Sequence, residues 1–182
     1  LADLRAIKDP QEQAKLSEAS RLNDALMAKV RTWIQPGITE KELAQKINHP
    51  QSQAPLEGVS FPALVLFNHH AADPHGEPSD LAYQKGDSVL VDMGGYYQGY
   101  ASDMTRTFIG DDPFHAKIYE IVRQANQAAL DMIRPGIAFG EIDFAARSVI
   151  KKNGYEDYFI HRTGHVIGLE CHELPNFSQN NP

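Results

Sequence analysis

Two aspartates, Asp92 and Asp103, and three histidines, His161, His165 and His172, are the residues of this chain whose types and spacing could do chemistry. Asp92 ends an apolar run, 88–91, and the stretch 93–100, Met-Gly-Gly-Tyr-Tyr-Gln-Gly-Tyr, has the composition of a hairpin. A turn centred on Tyr97 and Gln98 would pair Tyr96 with Gly99 and Gly94 with Ala101, and would set Asp92 directly opposite Asp103. Directly opposed Cβ atoms lie about 5 Å apart. Two ionised carboxylates at that range repel unless a cation sits between or beside them, and a divalent metal resolves the conflict. A pair of solvated loop acids, or a hairpin of shifted register, is the plainer alternative. The apolar run before Asp92 and the β-forming Thr105, Thr107, Phe108 and Ile109 after Asp103 argue for partial burial instead.

The histidines fall within a 12-residue window that also holds Gly164 and Gly168, where the backbone can turn tightly or admit a substrate. One such histidine alone is usually a core or surface residue; three in company with two aspartates form a set of oxygen and nitrogen donors. Such a set suits manganese, cobalt, iron or zinc rather than a structural cysteine-zinc site, and a dinuclear hydrolytic centre is the natural chemistry. Other chemistries are poorly served. Gly94-Gly95 is followed by aromatics rather than by a helix start, so no phosphate cradle is indicated. Nothing in the sequence sets a base beside Ser102, and Cys171 and His172 would point to opposite faces of a strand.

These residues must be carried by a regular frame. Apolar residues Ala14, Ala19, Leu22, Leu26, Val30 and Trp33 recur at helical spacing from Asp9-Pro10 to Gln35-Pro36-Gly37. Thr39 and Glu42 sign the start of a second helix that Pro50 must end. Strands are expected over 61–67 and 88–91, helices from Asp112-Pro113 to about 133 and over 140–152, and short strands around His161 and over 166–171. The string Ile-Gln-Pro-Gly-Ile at 34–38, followed by Glu42-Leu43, recurs as Ile-Arg-Pro-Gly-Ile at 133–137, followed by Glu141-Ile142, 99 residues later. Each copy lies between a long helix and a shorter one and precedes an expected strand with a leading Phe, Phe61 or Phe159. Duplication of a helix-plus-sheet unit explains this, and implies a pseudo-symmetric α+β domain.

At 182 residues with 42% hydrophobic content the chain can bury a core, and a net charge of −7 spread over both halves announces no surface for nucleic acid. No apolar run of about 20 residues marks a membrane span. The one cysteine suits a reducing compartment, so a cytoplasmic location is expected, with no membrane or nucleic-acid partner.

The strings Val91-Asp92-Met93-Gly94-Gly95, Ser102-Asp103-Met104-Thr105-Arg106-Thr107-Phe108, and His161-Arg162-Thr163-Gly164-His165-Val166-Ile167-Gly168-Leu169-Glu170 followed by His172-Glu173-Leu174-Pro175 resemble the signature segments of prolidase and aminopeptidase P. The 11-residue step between the two aspartates matches as well. Asp73-Pro74-His75-Gly76 resembles the segment carrying that family's substrate-side histidine. The resemblance runs from about Arg5 to Pro175 and implies a pita-bread fold with two divalent metal ions, manganese first, with cobalt or zinc as alternatives, bound by two Asp, one His and two Glu.

By the same resemblance Asp92, Asp103 and His165 are metal ligands, with Asp103 bridging. His172 and His161 serve catalysis, His172 at the oxyanion, while His75 and His161 hold the proline side of the substrate. The implied activity is hydrolysis of the bond preceding proline in di- or oligopeptides by attack of a metal-bridging hydroxide. An Xaa-Pro dipeptidase is favoured, and aminopeptidase P or a non-catalytic peptide- or protein-binding module are the alternatives. His161 and Thr-Arg-Thr-Phe favour this branch over methionine aminopeptidase. A homodimer is also implied. Residues 1–182 read as a catalytic domain truncated at its C-terminal end, lacking the N-terminal domain of its parent, with two Glu ligands expected beyond Pro182. Glu170 and Glu173 do not match those positions. Val166 departs from the glycine usual there, and Pro50 and Pro55 predict a short second helix.

Overall fold

A computed structural model describes residues 2–73 and 76–178, and the chain divides into two compact units. The larger comprises Ile7–Asp112 and Ile167–Cys171, the smaller Leu1–Ala6, Pro113–Val166 and His172–Pro182.

In the larger unit, α2 (Pro10–Trp33) follows α1 (Ala2–Ala6) of the smaller one, and starts where Asp9 accepts hydrogen bonds from the backbone of Gln11 and Glu12 while Glu12 accepts from Asp9. The same reciprocal cap, Thr39 with Glu42, starts α3 (Glu40–Asn48). It stops at His49, whose extended backbone suits the Pro50 that opens the four-residue α4 (Pro50–Gln53). The second helix is as short as the prolines predict.

Strand β2 (Val89–Tyr97) is the centre of the sheet, antiparallel to β1 (Val59–Phe67) on one side and to β3 (Tyr100–Ala101) and β4 (Met104–Phe108) on the other. Alternate side chains of a strand face opposite sides, so Val89, Val91 and Met93 enter the core with Leu26, Val30, Leu43, Ile47, Val65 and Phe67, and Asp92 faces the other side. The strand containing Asp92 is thus longer than the apolar run alone marks out.

The hairpin differs from the sequence expectation. Tyr97 pairs with Tyr100 and Tyr96 with Ala101, which places the two-residue turn at Gln98-Gly99. Both turn residues have positive φ, 48° and 78°. That is the geometry whose twist matches the strands, and glycine accepts it where the aromatic Tyr97 would be strained. The register then sets Asp92 opposite Thr105 and Met93 opposite Met104. Asp92 does not face Asp103 directly; Asp103 falls in the gap between β3 and β4.

In the smaller unit α5 (Pro113–Met132) and α6 (Phe139–Lys152) enclose Ile121, Ala125, Ala129, Ile142, Ala146 and Ile150. β5 (Gly164–Val166) pairs antiparallel with β6 (Glu173–Phe177). The repeat is visible in backbone: α2 and α5 end, and α3 and α6 begin, at positions offset by the same 99 residues. Gly37 and Gly136 carry φ of 94° and 88° in the intervening turns. The expected strands around His161 and over 166–171 do not form as such. Phe159 follows a 3-10 turn, Glu156–Tyr158, and His161 lies in irregular chain. Residues 167–171, which belong to the larger unit, form a turn held by the Ala101 N–H donating to the Gly168 carbonyl at 2.8 Å.

Gly94 makes the closest approach at the hairpin, since a Cβ there would lie 2.1 Å from the Ser102 carbonyl oxygen. Gly94→Ala should lower stability by about 3 kcal/mol or more in urea unfolding, because backbone rather than a mobile side chain must give way. A loss under about 1 kcal/mol would show that the 102–103 segment is not held as described.

Candidate functional site

Asp92 sits on β2, where the Thr105 hydroxyl donates to its Oδ1 at 2.8 Å from the paired strand. Asp103 follows Ser102, which is wholly buried and whose hydroxyl bridges the Gly95 carbonyl and N–H at 2.9 and 3.1 Å. The register is the same on both sides of the break, so continuing it brings Asp103 level with Gly94, diagonal to Asp92. Diagonal neighbours on one face of a sheet lie about 7 Å apart. The buried Cys171 thiol donates to Asp103 Oδ2 at 3.6 Å. Burial, then the charge and hydrogen bond of Asp103, then the charge of Asp92, push this thiol up to about 12. The register thus sets two carboxylates on one face beside a buried thiol, an arrangement of donors that suits a divalent cation. Ser102 is structural, and Cys171 is paired with a carboxylate rather than with a histidine base.

In the smaller unit, His165 occupies the middle of β5 opposite Asn176, with a bulge between His165 and Val166. The His165 and His172 rings stack with centroids 4.1 Å apart at 31°. His161 is exposed, five residues after the 3-10 turn begins. Glu173 is ion-paired with Arg5, so this acid has a structural partner. His75 lies outside the described residues. Among the described residues no three His, Cys, Asp or Glu side chains are grouped closely enough to hold an ion. The donors named by the sequence fit a divalent metal in kind, as oxygen and nitrogen groups.

Two carboxylates that sequence reasoning passed over are wholly buried, Glu40 and Asp143. Glu40, the first residue of α3, accepts from the Phe67 N–H at 2.7 Å, the Ser79 N–H at 2.9 Å and the Ser79 hydroxyl at 2.6 Å, and meets His70 Nδ1 at 2.8 Å. Asp143 on α6 accepts from Arg147 Nε at 2.7 Å and from the Thr163 N–H and hydroxyl at 3.0 and 2.6 Å. Burial alone would raise both acids; their hydrogen bonds outweigh it and hold both below the ordinary carboxylate value. The four-residue spacing of Asp143 and Arg147 was the one available signal, an acid one helical turn ahead of a base.

A sequence model of metallopeptidase family M24 matches residues 14–182. The chain belongs to this metallopeptidase family. It is 40% identical over 183 residues to YkvY of Bacillus subtilis (strain 168), provisionally named a dipeptidase, covering all of this chain and 50% of that protein. It superposes on an X-Pro aminopeptidase from Thermotoga maritima MSB8 with TM-score 0.94 and 32% identity, covering 99% of this chain and 52% of that one. A prolidase from Pyrococcus furiosus gives 0.92 and 37%, covering 99% and 54%. The fold is accordingly the pita-bread fold that the motifs implied. The chain spans about half the length of the curated relatives it matches. No helix among the described residues is long and apolar enough to cross a membrane.

A carboxylate depressed by folding stabilises the native state above its unfolded value, near pH 4, and that contribution is lost as pH falls through its lower folded value. The melting temperature of the protein should thus fall from about pH 5 towards pH 3. Glu40→Gln and Asp143→Asn should each melt lower at pH 7 and show a shallower decline. A variant whose decline parallels the parent's would remove that acid from the account.

Proposed function

We propose that this protein is a metal-dependent peptidase that cleaves the bond preceding proline, with an Xaa-Pro dipeptide as its first substrate. The observation that carries the reading is the pair Asp92 and Asp103, set diagonally on one face of the sheet with Asp103 accepting from the buried Cys171 thiol, in an M24 chain that matches prolidase and X-Pro aminopeptidase structures over 99% of its length. Asp92, Asp103 and His165 are the proposed metal ligands, with two Glu from outside these residues. A pair of divalent ions, manganese first, would supply Lewis acidity and an activated water there.

The chain's own residues have separate tasks in this reading. Thr105 fixes the orientation of the Asp92 carboxylate by its 2.8 Å hydrogen bond. His172, stacked on His165, donates to the carbonyl oxygen as negative charge builds on it. His161 and His75 hold the proline side of the substrate. The single buried cysteine is compatible with a reducing cytoplasm, and a homodimer rests on the family resemblance.

The full polypeptide should cleave an Xaa-Pro dipeptide in the presence of manganese and lose this activity with chelator, and a Xaa-Pro tripeptide assayed beside it separates dipeptidase from aminopeptidase. Changing an outer-shell partner of a metal typically costs 10–100-fold, so loss of a ligand in Asp103→Asn should lower kcat/KM by more than about 100-fold. Cleavage that survives chelator, or an Asp103→Asn protein of parental activity, would overturn the proposal.

A further inference from the structure

Residues 159–163 lie outside regular helix and strand and are held by backbone bonds only at their ends, where the Phe159 N–H donates to the Glu156 carbonyl at 3.2 Å and the Thr163 N–H to the Phe177 carbonyl at 3.1 Å, yet they carry His161 and lead directly into His165. Between those ends their carbonyls are fastened from α6. Arg147 Nη1 donates to the Phe159 carbonyl at 2.8 Å and Nη2 to the His161 carbonyl. The guanidinium lies 4.4 Å from the centre of the Phe159 ring. Its third edge is taken by the buried Asp143, whose other oxygen receives Thr163. Alternate residues 159, 161 and 163 are therefore pinned, while the His161 side chain stays exposed.

We infer that Arg147, oriented by Asp143, is a positioning residue: it fixes the backbone of His161 so that the imidazole is presented to substrate in one place. The inference rests on the peptidase reading for what His161 binds, and on the hydrogen bonds alone for the fastening. Planar, forked guanidinium geometry is what lets one side chain hold a carboxylate and two carbonyls at once, and a lysine cannot do the same. A residue that only stabilised the domain would lower the melting temperature without acting through His161 in particular.

The test uses the full polypeptide loaded with manganese, with Arg147→Ala, Arg147→Lys, His161→Ala and the Arg147→Ala/His161→Ala pair. Each Arg147 variant should raise KM for the Xaa-Pro dipeptide about tenfold with a smaller change in kcat, a differential of roughly 1.4 kcal/mol. In the His161→Ala background the same change should cost less than about twofold. Added guanidinium should lower KM for Arg147→Ala but not for the double variant. An equal KM penalty with and without His161, or an unchanged KM in Arg147→Lys, would overturn the inference. A readout without catalysis keeps it separate from the peptidase reading: the ring resonances of His161, assigned from the His161→Ala spectrum, should shift or broaden in Arg147→Lys. If the parent protein cleaves no Xaa-Pro peptide, that spectrum still decides, and unchanged His161 resonances would sink the fastening itself.

Discussion

Burying a carboxylate without partners is prohibitive, and among the described residues this chain buries Glu40 and Asp143 with partners drawn partly from outside regular helix and strand. Glu40 collects donors from the end of β1, from His70 in the adjoining 3-10 turn and from Ser79. Asp143 collects Arg147 from its own helix and Thr163 from the strand entry. In each case the requirement runs both ways. The acid needs the segment's donors, and the segment, with few backbone bonds of its own, needs the acid. The segment that carries His161, a histidine proposed for substrate contact, is thereby fixed to α6, whose own position is set by apolar packing against α5.

The sheet of the larger unit applies a second constraint, at the other kind of donor. Three inward side chains of β2 commit the strand to the core, and alternation then leaves Asp92 on the opposite face with no freedom to choose. Which residue Asp92 meets across the sheet depends on the turn. A two-residue turn at Gln98-Gly99 carries its register through the Ser102-Asp103 break, where the buried Ser102 hydroxyl takes over the hydrogen bonding that the ladder omits. The carboxylate pair is thus diagonal rather than face to face, a looser spacing in which Asp103, of the two, receives the Cys171 thiol.

Much of this was legible in residues. The four helices expected from sequence came within a residue or two of their observed ends, since Asp9, Thr39, Pro36-Gly37 and Pro135-Gly136 are strong local signals, whereas the short α1 and α4 were not expected. The duplication was legible because its two copies share a breaker and the residues around it. The hairpin register was not, because composition marks a turn region without stating which two residues take positive φ, and a one-residue difference in the turn moves every cross-strand partner. Short apolar runs near His161 suggest strands that do not form; Phe159 packs into the helical core of its unit instead. Glu40 and Asp143 were invisible for a simpler reason. An acid on a helix normally faces water, and nothing local announces that donors from distant chain will close over it.

The duplicated helix pairs share a frame but not the placement of the buried acid. Glu40 falls at the position equivalent to Phe139, and Asp143 at the position equivalent to Ala44. Glu40, at a helix start, has the backbone dipole in its favour; Asp143, a turn further in, relies on its own arginine instead. After an ancestral doubling, the two copies could thus keep one backbone plan while each invented its own anchor. Exchanging α3 for α6 would transplant the shape and lose the fastening, so descent is recorded here in the turns, and specialisation in which helical position was allowed to become acidic.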